Sequence, residues 1–157
     1  MTSEEKNIFS RRIAQASKTE LIVIMYEIAV NYLRTAIEKK GAEDVKSFRE
    51  NINRARRVVN ELTSVLDMKY ELSYELANIY TFINRSMIKV SVSLDITEVE
   101  AAIRMLEQLK EAFEIVAKSD TSGPMMQNAQ KVYAGLTYGK ATLNETQDSE
   151  SNRGYLA

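Results

Sequence analysis

Hydrophobic residues recur every three to four positions through most of the chain, which is the spacing of an α-helix with one apolar face. Three such stripes are unambiguous. The first comprises Val45, Phe48, Ile52, Ala55, Val59, Leu62 and Leu66. The second comprises Leu72, Leu76, Ile79, Ile83, Met87, Val90 and Leu94, and the third Val99, Ala102, Ile103, Leu106, Leu109, Phe113 and Val116. They predict helices over about 43–67 and 71–94 and a further helix capped by Thr97 and Glu100.

An earlier helix is predicted from Ser17, where Ser17 and Glu20 form an S-x-x-E capping box, to a terminating Gly41. Its expected core stripe is Leu21, Met25, Ile28, Ala29, Tyr32 and Ala36. The other faces are also apolar, carrying Ile22, Val23, Ile24, Tyr26, Val30, Leu33 and Ile37. A helix that is apolar nearly all round must be covered nearly all round. Either the N-terminal arm covers the surplus, or a partner segment does so after displacing that arm.

Four helices of matched length with short connections predict an all-α fold, an antiparallel up-down-up-down four-helix bundle. We expect an N-terminal arm at 1–16, loosely held, and the bundle at 17–118. A hinge and partly flexible C-terminal tail follow at 119–157, with a short helix at 125–134. The segment 125–143 is apolar and follows a Gly-Pro hinge. We hypothesise that it folds back as a competitor for the partner's groove; a permanent fifth helix is the alternative.

Composition narrows the possible functions. The chain has 157 residues, a net charge of −1, and neither histidine nor cysteine. Without these residues the commonest general base, imidazole metal ligands and thiolate chemistry are excluded. No phosphate-binding loop or paired catalytic residues are evident, so we expect neither an enzyme nor a cofactor. The charge balance argues against nucleic-acid binding, and the short apolar runs argue against membrane insertion. A cytoplasmic protein is expected.

Four segments of the chain match the motifs of a known family in order and spacing. They are Ala16–Leu21 with the following Met25, Tyr26 and Ala29; Ala55–Leu66; Glu71–Tyr80 with Phe82 and Arg85; and Glu107–Phe113. Together they resemble the FliS family of flagellar secretion chaperones. Asp95 and the region 98–100 resemble the loop and helix start that precede the last segment. Order and spacing agree over residues 8–118.

This resemblance implies a cytoplasmic export chaperone that binds the disordered C-terminal segment of flagellin. Binding would prevent premature polymerisation and help to deliver the subunit to the flagellar type III secretion apparatus, whose export gate is a further candidate partner. We expect a monomer or weak dimer. The candidate client-binding residues, chosen as exposed apolar positions, are Ile8, Phe9, Ile22, Tyr26, Val30, Leu33, Val58 and Tyr80.

Two other functions remain open at this point. The surplus apolar surface of the first long helix would also serve a self-associating structural bundle that has no client. A nucleic-acid-binding helical domain is the third possibility, and it would require a steep salt dependence of binding.

Overall fold

The computed structural model describes residues 2–125, and within this range the secondary structure is entirely helical. The five helices are α1 (Ser3–Gln15), α2 (Lys18–Gly41), α3 (Val45–Ser64), α4 (Glu71–Ser93) and α5 (Ile96–Ser119). The short connections at 42–44, 65–70 and 94–95 force successive helices to run antiparallel.

Helices α2–α5 form the predicted up-down-up-down bundle. Helix α2 packs between α3 and α5, and α4 closes the other side by packing on the same two helices. The Arg49 side chain of α3 donates to the carbonyl of Ser91 in α4 at 2.9 Å, while Asn84 of α4 donates to Asn60 of α3 at 2.8 Å. Because a residue early in α3 meets one late in α4, these two bonds establish the antiparallel direction.

The predicted stripes of the later helices form most of the core. In α3, the buried stripe residues are Phe48, Ile52, Ala55, Val59 and Leu62, and in α4 they are Leu76, Ile83, Met87 and Val90. Two positions at the ends of stripes were predicted wrongly, because Leu72 is 59% exposed and Val116 is 54% exposed. Both lie in the terminal turn of a helix, where the neighbouring helices no longer cover the stripe.

The predicted orientation of α2 was wrong. Its buried residues are Val23, Ile24, Tyr26, Ala29, Val30, Leu33 and Ala36, which include only two members of the expected stripe. The expected core residues Leu21, Met25, Ile28 and Tyr32 are half-buried. The apolar residues of α2 lie on nearly all of its faces, so periodicity alone could not specify which face points to the bundle axis.

Helix ends follow the predicted capping only in part. The Ser17–Glu20 capping box is present, with each residue bonding to the backbone of the other. The residue whose left-handed backbone ends α2 is Glu43. Gly41, which was expected there, is still part of the helix. Helix α5 is capped by Asp95, whose side chain accepts a bond from the Thr97 N–H, so the predicted Thr97–Glu100 box is wrong.

The N-terminal arm is helical along 3–15 and begins at its own capping box, formed by Thr2 and Glu5. Within this helix no side chain is buried. The short helix expected at 125–134 and the competing segment 125–143 lie, apart from Met125, outside the described residues.

Candidate functional site

Helix α1 lies antiparallel on α2, along the line where α2 meets α5. The Arg12 guanidinium forms a two-point ion pair with the Glu27 carboxylate, in which one N–O distance is 3.0 Å. Further along, Asn31 donates to the Glu5 carboxylate at 3.4 Å. We call the surface under α1 the α1-covered groove. It is formed by Val23, Ile24, Glu27, Val30 and Asn31 of α2 and by Glu107, Lys110, Glu114 and Ala117 of α5.

The contacts that hold α1 in this groove are mostly polar and exposed. The hydrogen bond from Arg12 to Glu27 raises the pKa of the Arg12 guanidinium, which also lies 5.8 Å from the centre of the Phe9 ring. The Arg12 side chain is 44% exposed. Exposed ion pairs of this kind contribute about 0–1 kcal/mol. Helix α1 has no fully buried side chain of its own, so separating it from the groove mainly uncovers the buried floor residues Val23, Ile24 and Val30.

Helix α1 does not fill the groove. An open pocket of about 520 Å³ lies beside Arg12, between Val23 and Ile24 on one side and Ala117 on the other. A second pocket, of about 250 Å³, lies where Phe9 meets Val30. An apolar floor with charged side chains along its edges suits an amphipathic helix, which can pack its apolar face inside and pair its polar residues at the rim.

The eight candidate residues fall into three groups. Ile8 is 51% exposed on the outer side of α1, and Phe9, Ile22 and Val58 are half-buried. Val30 is buried on the groove floor, so the expectation that it is exposed is wrong, although the structure does bring it beside Phe9. Tyr26, Leu33 and Tyr80 are fully buried in the core, and the expectation that they are exposed is wrong.

The two core tyrosines explain why this part of the expectation failed. The hydroxyls of Tyr26 and Tyr80 hydrogen-bond to each other across the bundle, from α2 to α4. Tyr26 also packs against Phe113 of α5, with ring centres 5.7 Å apart. Each buried hydroxyl therefore has a partner, which allows tyrosine to occupy a position that the pattern assigned to the surface.

Sequence reasoning overlooked a second apolar surface, on the outer side of α4. Its exposed apolar side chains are Tyr74, Phe82, Ile88 and Val92. An open cleft of about 420 Å³ lies between α4 and α5, and the residues that line it are Phe82, Ile83, Ala101 and Ala102 together with the polar Arg85, Ser86, Lys89 and Glu98. The signal was available in the sequence, because all four of these exposed residues are apolar and lie outside the predicted α4 stripe.

The described part of the chain contains no cluster of acidic side chains arranged to hold a metal ion. No helix in residues 2–125 is long and apolar enough to cross a membrane.

Comparison with known proteins agrees with this description. Residues 1–120 match the family model for the flagellar protein FliS. A flagellar secretion chaperone FliS from Bacillus subtilis (strain 168) is 24% identical over 91 residues, which are 56% of this chain and 68% of that protein. A bacterial flagellar chaperone of known crystal structure has the same fold, with a TM-score of 0.62 and 16% identity over 74% of this chain and 99% of that chain. The chain belongs to the FliS family of flagellar proteins.

Proposed function

We propose that this protein is a cytoplasmic export chaperone that binds the disordered C-terminal segment of flagellin in the α1-covered groove. The observation that carries the proposal is an apolar groove covered by a helix that buries none of its own side chains completely. The family relationship and the likeness to a FliS chaperone support the choice of flagellin as the client.

In this mechanism the client displaces α1 from the groove and lays an amphipathic helix in its place. The client contacts Val23, Ile24 and Val30 and so covers again the apolar floor that the departure of α1 exposes. Ordering a disordered segment costs free energy, so a long interface that wraps beyond the groove is expected. The exposed apolar side chains on the outer side of α4 supply surface over which the client could extend beyond the groove.

The chaperone activity itself follows from mass action. While the C-terminal segment is held on the bundle, it is unavailable for contacts between flagellin subunits, so polymerisation is delayed. The complex then presents the subunit to the type III secretion apparatus, with the export gate as the second partner.

Calorimetric titration of the full chain with a synthetic peptide of the host's flagellin C-terminus tests the proposal. We expect saturable 1:1 binding with a negative heat-capacity change, since apolar surface is buried. Deleting residues 2–14 should tighten binding severalfold, because the competing helix is removed and the open groove is fully populated.

A matched pair of substitutions locates the effect. Phe9→Ala removes the α1 side chain that lies beside Val30, and it should tighten peptide binding as the deletion does. Ile8→Ala changes the adjacent, exposed side chain and should leave the affinity unchanged. Absence of binding to both the full chain and the deletion variant would refute the chaperone proposal. If binding occurs but is unaffected by the deletion, the client uses a different surface.

A further inference from the structure

Helix α1 is joined to α2 by two extended residues that are buried more completely than any residue of α1. Ala16 has φ −73° and ψ 137°, and Ser17 has φ −64° and ψ 170°. They are 3% and 4% exposed. The segment 14–20 contains neither glycine nor proline. The sequence of this segment would therefore permit one continuous helix through Ala16 and Ser17, which we call the α1–α2 hinge. Other contacts must keep this hinge bent.

The residues that follow α5 return to this hinge. The Met125 N–H donates a hydrogen bond of 3.0 Å to the carbonyl of Ala16. At the start of the same segment, the Asp120 carboxylate accepts a bond of 2.9 Å from the Ser122 N–H. The hydrogen bonds from Ser122 hold the pKa of Asp120 well below its usual range. We call residues 120–125 the strap.

The strap occupies an acceptor that straightening would require. In a continuous helix the carbonyl of Ala16 would accept a bond from the Glu20 N–H, four residues later. In the bent hinge the Glu20 N–H is bonded to the Ser17 side-chain oxygen at 3.2 Å, and the carbonyl of Ala16 is bonded to Met125. In the bent hinge, the capping box therefore bonds the Glu20 N–H and the strap bonds the Ala16 carbonyl. In a straight helix these two groups would bond to each other.

We propose that the strap is a conformational latch, which keeps the α1–α2 hinge bent and thereby controls how often α1 leaves the α1-covered groove. Releasing the strap frees the carbonyl of Ala16. Helix α1 can then swing out and expose Val23 and Val30. The latch regulates the groove to which we assigned the client, and only its biological purpose rests on the proposed function.

Hydrogen exchange of the full chain, measured without any client peptide, tests the latch. Met125→Pro removes the N–H that bonds to Ala16, whereas Met125→Ala keeps that N–H and removes only an exposed side chain. Asp120→Ala removes the carboxylate, with Thr121→Ala as its control, since Thr121 is exposed and makes no side-chain hydrogen bond within residues 2–125. Loss of one hydrogen bond should accelerate exchange of the α1 amides roughly three- to tenfold. Exchange in α3 should be unchanged.

The outcomes separate the latch from the client proposal. Faster exchange confined to α1 in Met125→Pro and Asp120→Ala, with both controls unchanged, supports the latch whether or not flagellin binds. Unchanged α1 exchange in those two variants overturns it, even if calorimetry detects the client. An equal acceleration in α1 and α3 also overturns it, because the strap would then stabilise the bundle as a whole.

Discussion

At the end of α2, Gly41 lies two positions before Glu43, the residue whose backbone is left-handed. Glu43 has φ 59°, in the region that favours glycine, while Gly41 is helical. Asp44 N–H bonds to the carbonyl of Lys39 at 2.9 Å, and Glu43 N–H bonds to that of Lys40 at 3.0 Å. This is the paired pattern of a Schellman motif, whose left-handed position is usually glycine. Both residues are thus unfavourable where they stand.

We predict that Gly41→Ala and Glu43→Gly each stabilise the protein by about 0.5–1 kcal/mol, measured by urea denaturation. The first adds a methyl group that meets no atom within 4 Å, and the second relieves the left-handed strain. The control is Glu43→Ala, which keeps the strain and should give no gain. A gain in the control equal to that of Glu43→Gly would contradict the backbone explanation.

The buried hydroxyl pair of Tyr26 and Tyr80 gives a second prediction at this scale. Tyr26→Phe or Tyr80→Phe leaves one buried hydroxyl without a partner and should destabilise the protein by about 1–3 kcal/mol. The double phenylalanine variant removes both polar groups, so it should be less destabilised than the sum of the single variants. Urea denaturation of all four proteins completes the double-mutant cycle, and simple additivity would show that the hydroxyls act independently.

The same pair predicts a pH dependence. Burial, and for Tyr26 also the bond to Tyr80, raises the pKa of both hydroxyls above the ordinary value near 10. The unfolded chain then releases these protons at a lower pH than the folded chain does. Stability is therefore fully present below about pH 10 and falls as the pH rises above it. The double phenylalanine variant should lose less stability over that range.

At the scale of a single helix, α1 is the one whose position on the bundle depends most on individual side-chain contacts. Its ion pair between Arg12 and Glu27 is exposed enough to be screened by salt. We predict that Arg12→Ala accelerates hydrogen exchange of the α1 amides up to about fivefold at low salt, with a smaller effect in 1 M salt. Arg11→Ala is the matched control, since Arg11 is exposed and has no ion pair among residues 2–125. An equal effect of both substitutions would exclude a specific role for the ion pair.

Periodicity predicted α3 better than α2 for a physical reason. Helix α3 has one apolar face and a polar back, so only one orientation buries its hydrophobic side chains. Helix α2 contacts three helices, and its apolar residues satisfy several orientations equally well. Its rotation was decided by which side chains fit at the bundle axis, above all Tyr26 and Leu33.

At the scale of the whole molecule, the distribution of exposed apolar surface bears on self-association. The sequence suggested α2 as an interface between copies, but within residues 18–41 no large apolar side chain is exposed. Exposed apolar side chains lie instead on α4, at Tyr74, Phe82, Ile88 and Val92, and at the end of α5, at Ile115 and Val116. We predict that the full chain sediments as a monomer at micromolar concentration and forms a 1:1 complex when flagellin peptide is added. A concentration-dependent dimer that Phe82→Ser abolishes would instead favour the structural-bundle alternative.

The sequence by itself determined the helical class, the number of long helices and the cap at Ser17, since these depend on local spacing and on hydrogen bonds between near neighbours. It also excluded imidazole and thiolate chemistry through the absence of histidine and cysteine. Only the tertiary structure decided which face of α2 is buried, that Tyr26 and Tyr80 pair in the core, and that α1 covers the groove while residues 120–125 reach its hinge. Those features join residues far apart in the chain, so they depend on packing geometry that no local pattern encodes.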